Sequence, residues 1–113
     1  MKAIDYTLCS AHVIIDRKWR MEWIEKTIGY GIELYTCPDF GHDNHTLTLT
    51  STGVLVVRES ESNMIVTLWI ASVSQAIKIF RNATNKAVDA MPKRLWDIIN
   101  YNNNTAYWKK VVA

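Results

Sequence analysis

Three apolar segments between residues 46 and 71 constrain the fold of this chain more than any other feature. In the first, Leu47 and Leu49 alternate with threonines, which is the period-two pattern of a half-buried strand. The other two segments follow separators rich in turn-forming residues: residues 54–57 come after 50–53, and residues 64–70 come after 59–63. The sequence therefore predicts a meander of three antiparallel strands.

Pairing the strands symmetrically about both turns assigns their side chains to two faces. The first face is almost entirely apolar and consists of Leu47, Leu49, Val54, Val56, Val66, Leu68 and Ile70. The second face mixes hydroxyl groups with apolar and aromatic side chains and consists of Thr46, Thr48, Thr50, Leu55, Val57, Ile65, Thr67 and Trp69. We expect the first face to form the core against helix residues such as Ile77 and Phe80, and the second to carry function.

Length and composition predict one globular domain over residues 1–113. The chain is 49% hydrophobic and 21% charged, which argues against disorder. Polar residues interrupt the N-terminus too early for the apolar region of a signal peptide, and no apolar run reaches the roughly 20 residues of a membrane span. We therefore expect a cytoplasmic protein that does not associate with membranes and keeps Cys9 and Cys37 reduced.

Helical patterns flank the predicted strands. Residues 5–8 suit a short first strand or an extended arm, and two short helices are predicted over about 10–17 and 21–28. After the strands, Ser72 and Gln75 have the spacing of a capping box, and a helix follows them. Pro92 suits the first turn of a last helix that ends at the asparagines 102–104. The predicted class is α+β, with a three- to four-stranded antiparallel sheet, two short N-terminal helices and two C-terminal helices.

The order of several motifs resembles a known superfamily. His12 and Arg17 precede the helix Glu-Trp-Ile-Glu-Lys-Thr-Ile at 22–28, and a Pro-Asp loop at 38–39 and the hairpin strands 53–57 and 65–67 follow. This order resembles the small RelE- and BrnT-like domains, which share the fold of certain ribonuclease toxins, and in particular an uncharacterised branch of them. The resemblance covers roughly residues 10–71, and residues 72–113 form a helical C-terminal extension beyond it.

The resemblance implies an antiparallel sheet with helices on one face and an RNA-facing surface on the other. Metal-independent RNA cleavage needs a base for the 2′-hydroxyl, a cation for the phosphate and an acid for the leaving oxygen. The catalytic candidates are His12, Arg17, Arg20 and Thr67, and Trp69 is a candidate for stacking on a base. Alternatively, His12 and the arginines are solvated surface residues and Trp69 packs under the C-terminal helix.

The C-terminal part of the chain is basic. Residues 72–113 carry a balance of +5, whereas residues 1–71 carry −3. Aromatic residues are interleaved with the candidate nucleic-acid-binding residues Lys93, Arg94, Lys109 and Lys110. That combination is typical of single-stranded RNA binding, and equally of the rim of a helix that docks on a sheet.

The leading hypothesis is an RNA-directed small protein, possibly a metal-independent endoribonuclease of the RelE/BrnT-like toxin type, with RNA and a cognate antitoxin as partners and no cofactor. The alternative is a non-enzymatic module of a prophage or other mobile element that binds a protein partner. A third and more distant reading is a metal site in the loop 37–45, which concentrates Cys, His and Asp residues. The spacing in that loop matches no structural zinc pattern, so no metal ligand is assigned.

Overall fold

The computed structural model describes residues 29–105. Within them, a four-stranded antiparallel meander is followed by two α-helices, and the sheet order is β1-β2-β3-β4. The elements are β1 (Glu33–Pro38), β2 (His45–Thr50), β3 (Val54–Glu59), β4 (Ile65–Ile70), α1 (Val73–Thr84), a 3₁₀ turn (Val88–Ala90) and α2 (Lys93–Thr105). The predicted α+β class, antiparallel sheet and two C-terminal helices are confirmed. The strand or arm predicted at 5–8 and the helices predicted at 10–17 and 21–28 lie outside the described residues.

The turn between β2 and β3 shows that the predicted pairing of these strands is wrong. Gly53 donates its N–H to the Thr50 carbonyl over 3.0 Å and has a φ of 81°, which closes a three-residue loop over 51–53. Leu49 consequently lies opposite Leu55 rather than Val54. Because side chains alternate along a strand, this shift of one residue exchanges the faces of β2 relative to β3.

The corrected register gives the sheet a helix side and an opposite side. The helix side carries Tyr35, Cys37, Leu47, Leu49, Leu55, Val57 and Trp69, which pack into one cluster with α1 and α2. Thr48 therefore lies on the opposite side, where it is buried beside Val56. The apolar face predicted as a single core is thus divided between the two sides of the sheet.

The pairing in the hairpin β3–β4 is shifted by two residues from symmetry about residues 59–63, and a shift of two keeps these side chains on their predicted side. Leu55 lies opposite Trp69, and Val57 lies opposite Thr67. An irregularity after Val57 shifts the register, and Val66 packs against the core cluster on the helix side. Leu55, Val57, Thr67 and Trp69 therefore share one side, as the sequence predicts, but that side faces the helices.

The sequence pattern over residues 33–44 predicts a loop, but the first half of that segment forms strand β1. Tyr35 and Cys37 alternate toward the helix side, and the ring of Tyr35 meets that of Phe80 edge-to-face with centroids 5.1 Å apart. Pro38 is the last residue of this edge strand, where its missing N–H removes no interior ladder bond. The fourth strand of the sheet is thus β1.

Helix α1 begins with the predicted capping box. Ser72 Oγ accepts the Gln75 N–H over 3.2 Å, and Gln75 Oε1 accepts the Ser72 N–H over 3.0 Å. The buried residues of the helix are Ala76, Ile79 and Phe80. Ile77, which we expected to be buried in the core, is only half-buried because the packed stripe runs along Ile79 instead.

Helix α2 continues past the point where the sequence predicts its end. Asn102 Nδ2 donates to the Thr52 carbonyl over 2.7 Å, and Asn103 Nδ2 donates to the Ala71 carbonyl over 2.9 Å. These amides hold the last turns of the helix against the β2–β3 turn and the end of β4. No helix within residues 29–105 is long and apolar enough to cross a membrane.

A buried ion pair lies on the opposite side of the sheet. Arg58 Nη2 is 2.6 Å from Glu33 Oε1, and the side chain of Arg58 is only 8% exposed. This close contact is an ion pair without hydrogen-bond geometry, and Arg58 Nε has no partner. The pair therefore neutralises the charge of the guanidinium without satisfying all of its donors.

Candidate functional site

A cleft of about 370 Å³ opens on the helix side of β3 and β4. Helix α1 packs mainly on β1 and β2 and leaves this half of the sheet partly uncovered. The cleft has an apolar floor that includes Leu55, Val57 and Val66. Its polar and aromatic lining comes from Asp39, Phe40, His45, Thr67, Trp69, Gln75 and Lys78. An apolar base with a few converging polar groups is the usual composition of a ligand site.

The indole ring of Trp69 is fixed by helix α1. Its Nε1 donates to Gln75 Oε1 over 3.2 Å, and the ring packs against the core cluster while also lining the cleft. The predicted alternative, in which Trp69 packs under a C-terminal helix, therefore describes part of its environment. Because the hydrogen bond orients the ring, Trp69 offers a fixed aromatic surface to a planar ligand.

Thr67 provides a hydroxyl group with unused hydrogen-bonding capacity. Thr67 lines the same cleft, and its Oγ1 is buried within the protein without a hydrogen-bond partner. A buried hydroxyl without a partner is costly because the group has lost its hydration. The hydroxyl is shielded from solvent, so a polar ligand in the cleft would reach it only after neighbouring side chains had moved aside.

His45 lies at the start of β2, where its imidazole lines the cleft. Its Nδ1 is 3.9 Å from Asp39 Oδ2, beyond hydrogen-bond length. On its other side the ring is stacked on His42, with centroids 3.6 Å apart and planes 4° from parallel. The turn that holds both rings is closed by the Asp39 N–H, which donates to the His45 carbonyl over 3.0 Å.

Lys78 is the only cation that the described part of the chain contributes to the cleft. Its side chain is exposed and forms no ion pair with any described residue. Together with His45 it supplies an ammonium and an imidazole beside the hydroxyl of Thr67. These are the chemical types that bind phosphate and exchange protons near neutral pH.

Only two of the site residues proposed from the sequence lie in the cleft. Thr67 and Trp69 lie in the same cleft. Lys93 pairs with Asp97 over 3.0 Å on the exposed surface of α2, and Arg94 lines a separate depression beside Leu34. The remaining candidates lie outside the described residues: His12, Arg17, Arg20, Lys109 and Lys110.

The loop at residues 37–45, considered from the sequence as a metal site, does not bring its Cys, His and Asp side chains together as metal ligands. Cys37 is buried in the core cluster on the helix side, and burial, with a smaller contribution from Asp39, raises the pKa of its thiol. Between residues 29 and 105, no three His, Cys, Asp or Glu side chains are grouped so that they could hold a metal ion.

Two cleft residues, His45 and Lys78, were not predicted from the sequence. His45, Leu47 and Leu49 are two residues apart along β2, so the strand periodicity could have placed His45 on the same side of the sheet as the two leucines. Lys78 follows Gln75 by three positions on α1, which places both side chains on one helix face. The contact between Gln75 and Trp69 spans only six residues, but the sequence does not show how α1 turns back over β4.

No protein-family model, curated protein or solved structure matches this chain. Function is therefore inferred from the geometry of the cleft and the chemistry of the residues that line it.

Proposed function

We propose that this protein binds single-stranded RNA in the cleft between α1 and β3–β4 and cleaves it without a metal ion. The observation that supports the proposal best is the position of Trp69 and Thr67 in one cleft with His45 and Lys78. An oriented ring can stack on any base, and a hydroxyl can hydrogen-bond to a base edge or a ribose. Lys78 supplies the charge that attracts the phosphate backbone.

The cleavage step follows from the roles that the imidazole and ammonium groups can take. A base removes the proton of a ribose 2′-hydroxyl, whose oxygen bonds to the adjacent phosphorus while the bond from phosphorus to the 5′-oxygen breaks. An acid protonates that leaving oxygen, so the products are a 2′,3′-cyclic phosphate and a 5′-hydroxyl. Among residues 29–105, His45 is the candidate for proton transfer, and Lys78 stabilises the charge on the phosphate. His12, Arg17 and Arg20 remain candidates for the same roles.

The test is cleavage of a mixed-sequence RNA by purified protein in the presence of a chelator. We expect cleavage to persist and to leave 2′,3′-cyclic or 3′-phosphate ends. His45→Ala should slow it by on the order of 10²-fold or more if this imidazole transfers a proton. His42→Ala is the matched control, because His42 stacks on His45 but is not part of the cleft lining.

A parallel set of variants assigns the catalytic roles. If His12→Ala or Arg17→Ala abolishes cleavage while His45→Ala does not, the N-terminal residues carry the reaction. If the purified protein cuts no RNA but still binds it in the cleft, the enzymatic part of the proposal is wrong and the RNA-binding part stands. Growth arrest with cleaved transcripts on expression would support a toxin of the RelE/BrnT-like type.

A specific observation favours a second candidate function, which is binding of a protein partner. The outer face of α2 and the neighbouring edge of the sheet expose apolar groups, including Leu34 and Tyr101, the latter 66% exposed. An almost purely apolar depression lies between Thr52, Ile98 and Tyr101. Under this alternative a mobile-element partner or an antitoxin covers α2. Tyr101→Glu should then abolish co-purification with that partner and leave RNA binding unchanged.

A further inference from the structure

A second concave surface continues from the cleft along the C-terminal half of α1. It encloses about 570 Å³ and is lined by Lys78, Arg81, Asn82, Asn85, Lys86 and Ala87. We call this surface the basic groove. Lys78 lines both the cleft and the basic groove, so the two surfaces adjoin at this side chain.

The sequence periodicity of α1 explains how the basic groove forms. Lys78, Arg81, Asn82 and Asn85 are spaced i, i+3, i+4 and i+7, so they form a single stripe. The buried stripe of Ala76, Ile79 and Phe80 lies elsewhere on the helix circumference. Asn85 ends the helix in the left-handed conformation, with φ 58°, and the chain then continues through Lys86.

The charges of the basic groove are not balanced by carboxylates. Its lining contains three cations and no acidic residue, and α1 itself contains none. Among the described residues, Lys78, Arg81 and Lys86 form no salt bridge. Lys93 on α2, by contrast, pairs with Asp97. The helix dipole favours a cation in the last turn and so explains Arg81. It does not explain Lys78, which lies nearer the middle of the helix, or Lys86, which lies beyond the helix end.

We infer that the basic groove holds the phosphate backbone of the same RNA strand whose base occupies the cleft. This inference depends on the proposed RNA-binding function and extends it, because it specifies the path of the RNA backbone along α1. Uncompensated cations beside an aromatic cleft are the arrangement by which proteins bind single strands without reading their sequence. Arg81 can grip a phosphate with two donors, and the amides of Asn82 and Asn85 can supply further hydrogen bonds.

The length of the RNA separates the two surfaces experimentally. Binding of a labelled trinucleotide and of a labelled 12-nucleotide RNA is measured by fluorescence anisotropy across a salt series. The charge reversal Arg81→Glu with Lys86→Glu should weaken binding of the 12-mer at least about 10-fold at low salt. It should reduce the salt slope by about 1.4, because each phosphate contact on a single strand contributes roughly 0.7. Binding of the trinucleotide should change less than about 2-fold.

The charge-matched comparison is Lys93→Glu with Arg94→Glu, which changes the pair that the sequence proposes for nucleic-acid binding, and it decides between that α2 pair and the basic groove as the phosphate-binding surface. We expect it to leave the salt slope nearly unchanged at moderate ionic strength, where screening limits long-range effects. A neutral pair, Arg81→Gln with Lys86→Gln, keeps the test valid if the reversal prevents folding. Melting curves establish which variants are folded.

The outcomes distinguish this inference from the proposed function. If Trp69→Ala abolishes binding but the Arg81 and Lys86 reversals do not affect it, the inference is overturned and the cleft stands. If the reversals abolish binding but Trp69→Ala has no effect, the basic groove binds RNA and the cleft proposal is wrong. If the parent binds neither RNA, both are wrong.

Discussion

One carboxamide oxygen, Gln75 Oε1, accepts hydrogen bonds both from Trp69 Nε1 at 3.2 Å and from the Ser72 N–H at 3.0 Å. The first bond orients the ring in the cleft, and the second is half of the capping box that starts α1. The start of the helix and the orientation of Trp69 therefore depend on the same atom. Changes at Gln75 should affect stability and RNA binding together.

Gln75→Ala should lower the free energy of unfolding by about 1 kcal/mol, the usual effect of losing a helix cap interaction, and should also weaken RNA binding. Ser72→Ala is the matched control. It removes the other half of the capping box, in which Ser72 Oγ accepts the Gln75 N–H, but leaves the bond to Trp69 in place. Chemical denaturation and RNA titration of both variants are the measurements. Equal loss of RNA affinity in both would contradict an orienting role for the Gln75–Trp69 bond.

Thr67→Val should raise the free energy of unfolding by about 1 kcal/mol, because it removes a buried hydroxyl that has no partner. The same change should reduce RNA affinity by about 2- to 10-fold, the equivalent of one hydrogen bond. Thr48→Val is the comparison for stability, since Thr48 Oγ1 is 2.9 Å from Thr36 Oγ1. That variant should lose about 1 kcal/mol. If Thr67→Val destabilises the protein to the same extent, its hydroxyl has a structural partner.

Gly53→Ala should lower the free energy of unfolding by about 1–3 kcal/mol or more. Its φ of 81° disfavours any Cβ, and an added Cβ would lie 2.8 Å from Asn102 Nδ2, displacing the amide that bonds to Thr52. Gly29→Ala isolates the backbone strain, because Gly29 has a φ of 72° and open space around its Cα. Gly41→Ala has neither feature and should be nearly neutral. A thermal melt ranks the three variants.

Glu33→Ala should destabilise the protein more than Arg58→Met does. Removing the carboxylate leaves the 8%-exposed side chain of Arg58 as an unpaired cation, whereas Arg58→Met replaces it by an apolar chain of similar length. The loss for Glu33→Ala is expected to be about 2–4 kcal/mol, discounted from the fully buried case because the carboxylate is partly exposed. Urea denaturation of both variants provides the comparison, and the opposite ranking would contradict a net cost for the unpaired guanidinium.

The buried thiol of Cys37 should make stability depend on alkaline pH. Because burial raises its pKa in the folded state, the unfolded chain releases this proton first as the pH rises. The contribution of the thiol to stability is therefore fully present below the ordinary thiol pKa and is lost as the pH increases above it. The free energy of unfolding, measured between about pH 7 and 10, should fall more steeply for the parent than for Cys37→Ala. Identical slopes would contradict this prediction.

The sequence predicted those features that depend on local periodicity. The shared side of Thr67 and Trp69 follows from alternation along β4, whereas the exact partners, such as Val57 opposite Thr67, do not. The register of β2 could not be read in the same way. The residues 50–53 can form a two-residue or a three-residue loop, and only the left-handed conformation of Gly53 selects the latter.

The cleft was predictable only in part, because its walls come from segments far apart in the chain. Thr67 and Trp69 belong to one strand, and alternation places them together. Lys78 reaches the same cleft because α1 packs on β1 and β2, an arrangement set by contacts such as that between Tyr35 and Phe80. The basic groove was not predicted, since charge counting over residues 72–113 does not show which cations lack a counter-ion.

The asparagine contacts of α2 have a consequence for the order of folding. Asn102 reaches a carbonyl 50 residues earlier in the chain and Asn103 reaches one 32 residues earlier, so neither bond can form before the meander brings these carbonyls into position. The entropy of closing such long loops must be offset by contacts already made within the sheet. We therefore expect docking of the last helix to be a late step in folding, and a nascent chain cannot make these two bonds until both asparagines have been synthesised.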